Sequence, residues 1–199
     1  MEGEEMTHIC GMFKSDMSGV RDASEFVNVT SVPDEYDISG QTRPMIDQGN
    51  QGICVSVALG DMVTFLSKQK NKPQIVHTDY FYKNRKDTSV DGMTPREALE
   101  IAEQDFHIRM FAKIQDPETM KKSIIMNGPC MICLPCFNGE TEFWKGYDLQ
   151  GGHAVVLTGW DRSGFILKNS WGWSYGSNGY TQFPYDDWDK LYEAWTILV

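Results

Sequence analysis

The chain has 199 residues, 41% hydrophobic, 12% aromatic and 23% charged, enough apolar material for one compact core and too much for a disordered chain. Its formal charge of -10 repels a phosphate backbone or an anionic lipid surface, which excludes nucleic acid and membrane as natural partners. No apolar run approaches the roughly 20 residues that a membrane-spanning helix needs.

The start, Met1-Glu2-Gly3-Glu4-Glu5, lacks the basic and apolar regions of a secretory signal. Five cysteines, Cys10, Cys54, Cys130, Cys133 and Cys136, form an odd set. Together these features fit a cytoplasmic or host-intracellular protein whose thiols serve chemistry or burial rather than bridges. Residues 1–32 read as an extension, acidic first and then dotted with Ile9, Met12, Phe13, Val20, Phe26 and Val27. Such a segment can occupy a cleft, with Met12 or Phe13 in an apolar subsite, or wrap the body and only stabilise it. Its shortness favours the wrap, because some 30 residues hold little core of their own.

From Gly52 the pattern turns helical. Val55, Ala58, Leu59, Met62, Phe65 and Leu66 recur at three- and four-residue steps, with Ser56, Gly60, Asp61, Thr64 and Ser67 on the other face. Cys54 falls in the first turn. Thr94-Pro95-Arg96-Glu97 predicts a second helix with a capping box and an apolar face of Ala98, Leu99, Ala102 and Phe106. A third runs from Pro117 to Asn127, capped by Asp116 and stopped by Gly128-Pro129. Short β-like runs follow: Cys130 to Phe137, His153 to Trp160, Phe165 to Lys168, Tyr180 to Phe183 and Ala194 to Val199.

Helices first and strands second imply an α+β protein with a cleft between two lobes. The body that follows the extension spans 33–199, its helical lobe about 48–127 and its sheet lobe about 128–199 plus 33–47. Cys54 then stands on one lobe, with His153 and Asn169 on the other. A cysteine at a helix N-terminus beside an imidazole is suited to nucleophilic chemistry, because helix dipole and base both favour the thiolate.

Three blocks carry a family likeness. Gln48-Gly49-Asn50-Gln51-Gly52-Ile53-Cys54, Gly152-His153-Ala154-Val155-Val156 and Lys168-Asn169-Ser170-Trp171-Gly172 resemble, in order, the cysteine, histidine and asparagine motifs of papain-like cysteine proteases. The resemblance covers roughly residues 33–185. It implies a two-lobe fold with a barrel-like antiparallel sheet lobe and cysteine endopeptidase activity on polypeptide substrates, with no cofactor and no metal. It also implies Cys54 as nucleophile, His153 as base and then acid, and Asn169, sixteen residues on, as the group that orients the ring. Gln48, six before the cysteine, is implied as an oxyanion donor, and Trp171 as a shield over the His153–Asn169 bond. Weaker matches place Gly92, Met93 and Ala154 in an apolar substrate pocket.

Two departures stand out. The signature around the nucleophile reads Gln51-Gly52-Ile53-Cys54-Val55, without the neighbouring half-cystine and aromatic. Cys54 and His153 are 99 residues apart (153 − 54), against roughly 130 in plant and lysosomal enzymes, so loops have been trimmed. Competing readings are a Cys-His amidase acting on cell-wall or small amides, and an inactive peptide-binding module of the same fold. Cys130, Cys133 and Cys136 read as a buried strand rather than a metal site, since alternation puts Cys133 on the face opposite the other two. His8, His77 and His107 have no partners at telling spacings. A monomer is the default expectation.

Overall fold

The computed structural model describes residues 9–106, 108–137 and 141–198; His8, His107, residues 1–5 and Val199 lie outside them. After a short strand β1 (Tyr36–Asp37) comes the central helix α1 (Cys54–Gln69), then α2 (Tyr80–Lys83), α3 (Pro95–Asp105), β2 (Met110–Lys113), α4 (Pro117–Asn127), β3 (Cys130–Cys136), β4 (Gly151–Trp160), β5 (Gly164–Lys168), β6 (Tyr180–Pro184) and β7 (Glu193–Leu198). The helix signals act as the sequence suggests. Asp116 accepts the Thr119 N–H at 2.8 Å and Thr94 accepts the Glu97 N–H at 3.2 Å, each satisfying a donor that the first turn leaves unpaired. The expected reciprocal half of the second box is replaced, because Glu97 accepts the N–H of Lys86 instead.

All strands pair antiparallel in the order β2-β7-β3-β4-β5-β6, with β1 on β4. The path is open, so the barrel-like lobe expected from the resemblance is a sheet with two ends. Period-two alternation gives it two covered faces. Met131, Cys133, Ala154 and Val156 meet α1 and α3 through Val55, Leu59, Met62, Ala98 and Leu99. Ile132, Leu134, Val155 and Leu157 face Met120 and Ile124 of α4 and the aromatic group Phe143, Trp144 and Trp171. Hence α4, grouped with the helices by its sequence position, packs with the sheet. Among the described residues no helix is long and apolar enough to cross a membrane.

The more polar face of α1 is also buried. Ser56, Asp61 and Thr64 are at most 3% exposed because each has a partner: Ser56 Oγ accepts the Phe81 N–H, and Asp61 pairs with Arg43 and Lys168. A helix covered on both sides is held in place rather than resting on a surface, which fixes the position of its first residue, Cys54.

A smaller network braces the sheet lobe. Asp187 accepts the Trp144 indole N–H at 2.8 Å and pairs with Lys145 and Lys190. Burial pushes its carboxyl up, but Lys190, Lys145 and Trp144 outweigh that and hold it below its usual 3.8. A lowered carboxyl stabilises the fold fully above its unfolded value and loses that contribution as pH falls through the folded one. Denaturant titrations of wild type and Asp187→Asn should therefore show wild type ahead at pH 7, with the gap narrowing toward pH 2.

Candidate active site

Cys54 opens α1 behind a tight loop, with Ile53 at the N-cap and no side chain capping the helix. The first amides of α1 are thus available to a group at its end. The sulfur is fully buried. That burial pushes its pKa up, while backbone N–H groups of Ala154, Gly11, Val55 and Cys54 itself pull it down; the net direction is upward. The sequence expectation of a helix-stabilised thiolate is therefore met by donors but opposed by desolvation, and Gly11, one of the donors, belongs to the N-terminal extension. Cys54 and Ala154, the strand residue that follows His153, belong to one buried cluster.

His153 stands on β4 facing the aromatic group. Its Nε2 lies 2.7 Å from Asn169 Oδ1, and the same oxygen accepts the Ser170 backbone N–H at 2.7 Å. An oxygen that already accepts one proton donor can only accept from the ring, so Nε2 carries the hydrogen and Nδ1 is the basic nitrogen. Trp171 stacks on the imidazole, centroids 4.6 Å apart and planes 21° from parallel, while Phe143 meets it edge-on at 5.0 Å. This apolar sleeve keeps water from the His153–Asn169 bond, which strengthens it.

Gln48 reaches the site from the loop before α1. Its Oε1 accepts the Ser170 hydroxyl at 2.5 Å, which turns Nε2 the other way. That amide donates to Gln51 O at 2.9 Å and to Ile9 O at 3.1 Å. The second acceptor belongs to the extension, so the donor expected to meet a substrate oxygen meets a carbonyl of this chain.

Gly92, Met93 and Ala154 flank the same space. The extension runs between them: Met12 N–H donates to Gly152 O at 2.9 Å, Phe13 N–H to Met93 O at 3.1 Å, and Met93 N–H to Gly11 O at 2.9 Å. Met12 is 3% exposed and packs with Cys54, Met93, Cys133 and Ala154, while Phe13 is 44% exposed. Glycines permit the close approach. A Cβ on Gly11 would fall 2.3 Å from Gly52, and one on Gly92 would fall 2.4 Å from Gly11 O.

The extension is also cross-linked. Cys10 and Cys136 form a disulfide between residues 126 apart in sequence, which corrects the reading of every cysteine as a free or merely buried thiol. The buried-strand reading holds for Cys130 and Cys133, free and on opposite faces of β3. Cys136 closes β3 opposite Gly151, where the absent side chain lets Cys10 come near. Among the described residues no group of three His, Cys, Asp or Glu is arranged to hold a metal. His77 lies on the surface beside Asp79.

Three contributors are given no role in the sequence reading. Ser170 orients both Gln48 and Asn169, and its place in the Asn169 block was the only hint. Phe143 comes from a stretch without periodicity. Asp91 accepts the Gly52 N–H and the Tyr82 hydroxyl, at 3.0 and 2.7 Å, tying the loop before Cys54 to the wall at Gly92.

A family model described as papain family cysteine protease matches residues 47–190. The fold is similar to that of xylellain, a cysteine protease from Xylella fastidiosa, with a TM-score of 0.79 and 17% identity over 100% of this chain and 98% of that one. It is also similar to procathepsin B S9 from Trypanosoma congolense, with a TM-score of 0.78 and 13% identity over 96% and 87% of the two chains. At these identities the likeness is one of fold. A stretch of 50 residues is 48% identical to a peptidase C1-like protein of Acanthamoeba polyphaga mimivirus, and it spans 24% of this chain and 16% of that relative.

Proposed function

Since the chain belongs to the papain family of cysteine proteases, we propose that it is an endopeptidase in which Cys54 attacks the peptide carbonyl, His153 serves as base and then acid, and Asn169 holds the imidazole. The observation that carries this reading is the assembly around the ring. Asn169 Oδ1 fixes the hydrogen on Nε2 at 2.7 Å, leaving Nδ1 as the acceptor, and the adjoining Ala154 packs in the same buried cluster as Cys54.

The sequence of steps follows. Nδ1 takes the thiol proton, and the thiolate adds to the carbonyl carbon. Negative charge on the carbonyl oxygen is met by Gln48 Nε2 and the Cys54 backbone N–H, donors held in advance of the reaction. Protonated His153 returns its proton to the leaving amine, giving a Cys54 thioester. Water, deprotonated by the same nitrogen, releases the acid. Trp171 and Phe143 keep the ring dry through both halves. A polypeptide is the substrate, and the space now holding Met12, bounded by Gly92, Met93 and Ala154, takes an apolar side chain.

An epoxysuccinyl peptide, selective for activated thiols, tests the reading on reduced protein. Mass should be added at Cys54 alone and not in His153→Ala, with a peptide library cleaved beside apolar residues. Labelling spread over Cys10, Cys130, Cys133 and Cys136 would contradict it.

A further inference from the structure

The extension holds the groove closed in a particular way. Ile9 O accepts from the Gln48 amide, Met12 packs in the buried apolar cluster that contains Cys54, and Gly11 bridges to Gly152 while its carbonyl accepts the Met93 N–H at 2.9 Å. With the carbonyls of Ile9 and Gly11 and the N–H groups of Met12 and Phe13 all paired to the walls, the segment fills the space a substrate chain would use. Beyond Met12 the chain is tied along the body: Ser15 N–H to Glu193 at 2.8 Å, Arg96 Nη1 to Asp16 O at 2.7 Å, and Lys113 N–H to Arg21 O at 3.0 Å. On the other side of Gly11, among the described residues, Ile9 meets Gln48 and Cys10 is tied covalently to the end of β3 by the Cys10–Cys136 disulfide. A surface segment held by a few backbone bonds opens readily, whereas one cross-linked past its contact point cannot peel away.

Resting on the peptidase reading, we propose that the Cys10–Cys136 disulfide is a redox latch: it locks residues 9–13 across Cys54, and its reduction by a thiol reductant of the glutathione or dithiol class frees the groove for substrate. Cys10 is partly exposed and Cys136 is 1% exposed, so the reductant thiolate attacks the Cys10 sulfur and expels the Cys136 thiolate, which takes up a proton. A second reductant thiol then displaces Cys10 from the mixed disulfide. Two electrons and two protons pass to the protein cysteines, and two reductant thiols become one disulfide. No peptide bond breaks, so reoxidation can reset the latch.

The test uses full-length protein purified under mild oxidation, with the epoxysuccinyl label reporting on Cys54. Oxidised wild type should react slowly, and dithiothreitol should raise the rate by about tenfold or more, the scale that a lost cross-link gives. Cys10→Ser and Cys136→Ser break the same bond from either side and should react fast whether or not reductant is present, which separates the latch from any need to reduce Cys54. Equal rates for oxidised wild type and both variants would overturn the latch while leaving the peptidase reading intact. So would mass spectra of the oxidised protein showing Cys10 and Cys136 as thiols. Failure of Cys54 to react in either variant with reductant present would instead overturn the peptidase reading, and the latch with it.

Discussion

Cys54→Ala, assayed as reduced protein, should lose peptide hydrolysis by at least about 10⁴-fold, the scale expected when a covalent nucleophile is removed. The loss should fall on kcat with KM little changed, because the sulfur contributes to bond making and not to holding the substrate chain. His153→Ala should cost nearly as much, and the double variant should be no worse than the worse single one, since base and nucleophile act as a unit. Thermal melts should find Cys54→Ala close to wild type, as one small buried side chain replaces another. A variant retaining more than about a hundredth of wild-type activity would mean that another group does the chemistry.

Asp61→Ala should cause the largest loss of stability, roughly 3–5 kcal/mol, because it leaves two buried cations without their anion. Arg43 and Lys168 are 7% and 2% exposed. Asp61 Oδ1 accepts from Arg43 Nε at 2.6 Å and Oδ2 from Lys168 Nζ at 2.9 Å. Burial pulls the Lys168 amine below its ordinary value and Asp61 works against it, so removing the carboxylate leaves the desolvation uncompensated. For a chain of this size the melting temperature should drop by roughly 6–20 °C. The network joins α1, which carries Cys54, to the end of β5, directly before Asn169, so residual activity should fall faster than the folded fraction. Pairing Asp61→Ala with Lys168→Met should recover part of the stability, since one unpaired charge disappears.

Those partners show where sequence reading stops. The periodicity of Val55 to Leu66 located α1 and put Asp61 on its other face, but not what Asp61 meets there, because a pattern along one helix says nothing about an arginine 18 residues back or a lysine 107 residues ahead. Thr94 and Asp116 were legible as caps because their partners lie three residues away. Glu97 was misread because its acceptor oxygen is taken by Lys86 from a different segment. Strands β3 to β7 were legible as short apolar runs broken by glycine, whereas β1 and β2 were not, nor was the openness of the sheet, since closure depends on which edges meet.

By itself the sequence determined the three long helices α1, α3 and α4, the Thr94 and Asp116 caps, strands β3 to β7, the α+β class and the three blocks that hold Cys54, His153 and Asn169, because each rests on residues within a turn or two of one another. Only the tertiary structure decided which distant groups meet. Ser170 sits on Gln48 from 122 residues away, Cys10 is bonded to Cys136 from 126 away, and the extension lies in the groove where its length alone had favoured a simple wrap. Such contacts are chosen by packing and glycine clearance across the whole molecule, and no local spacing encodes them.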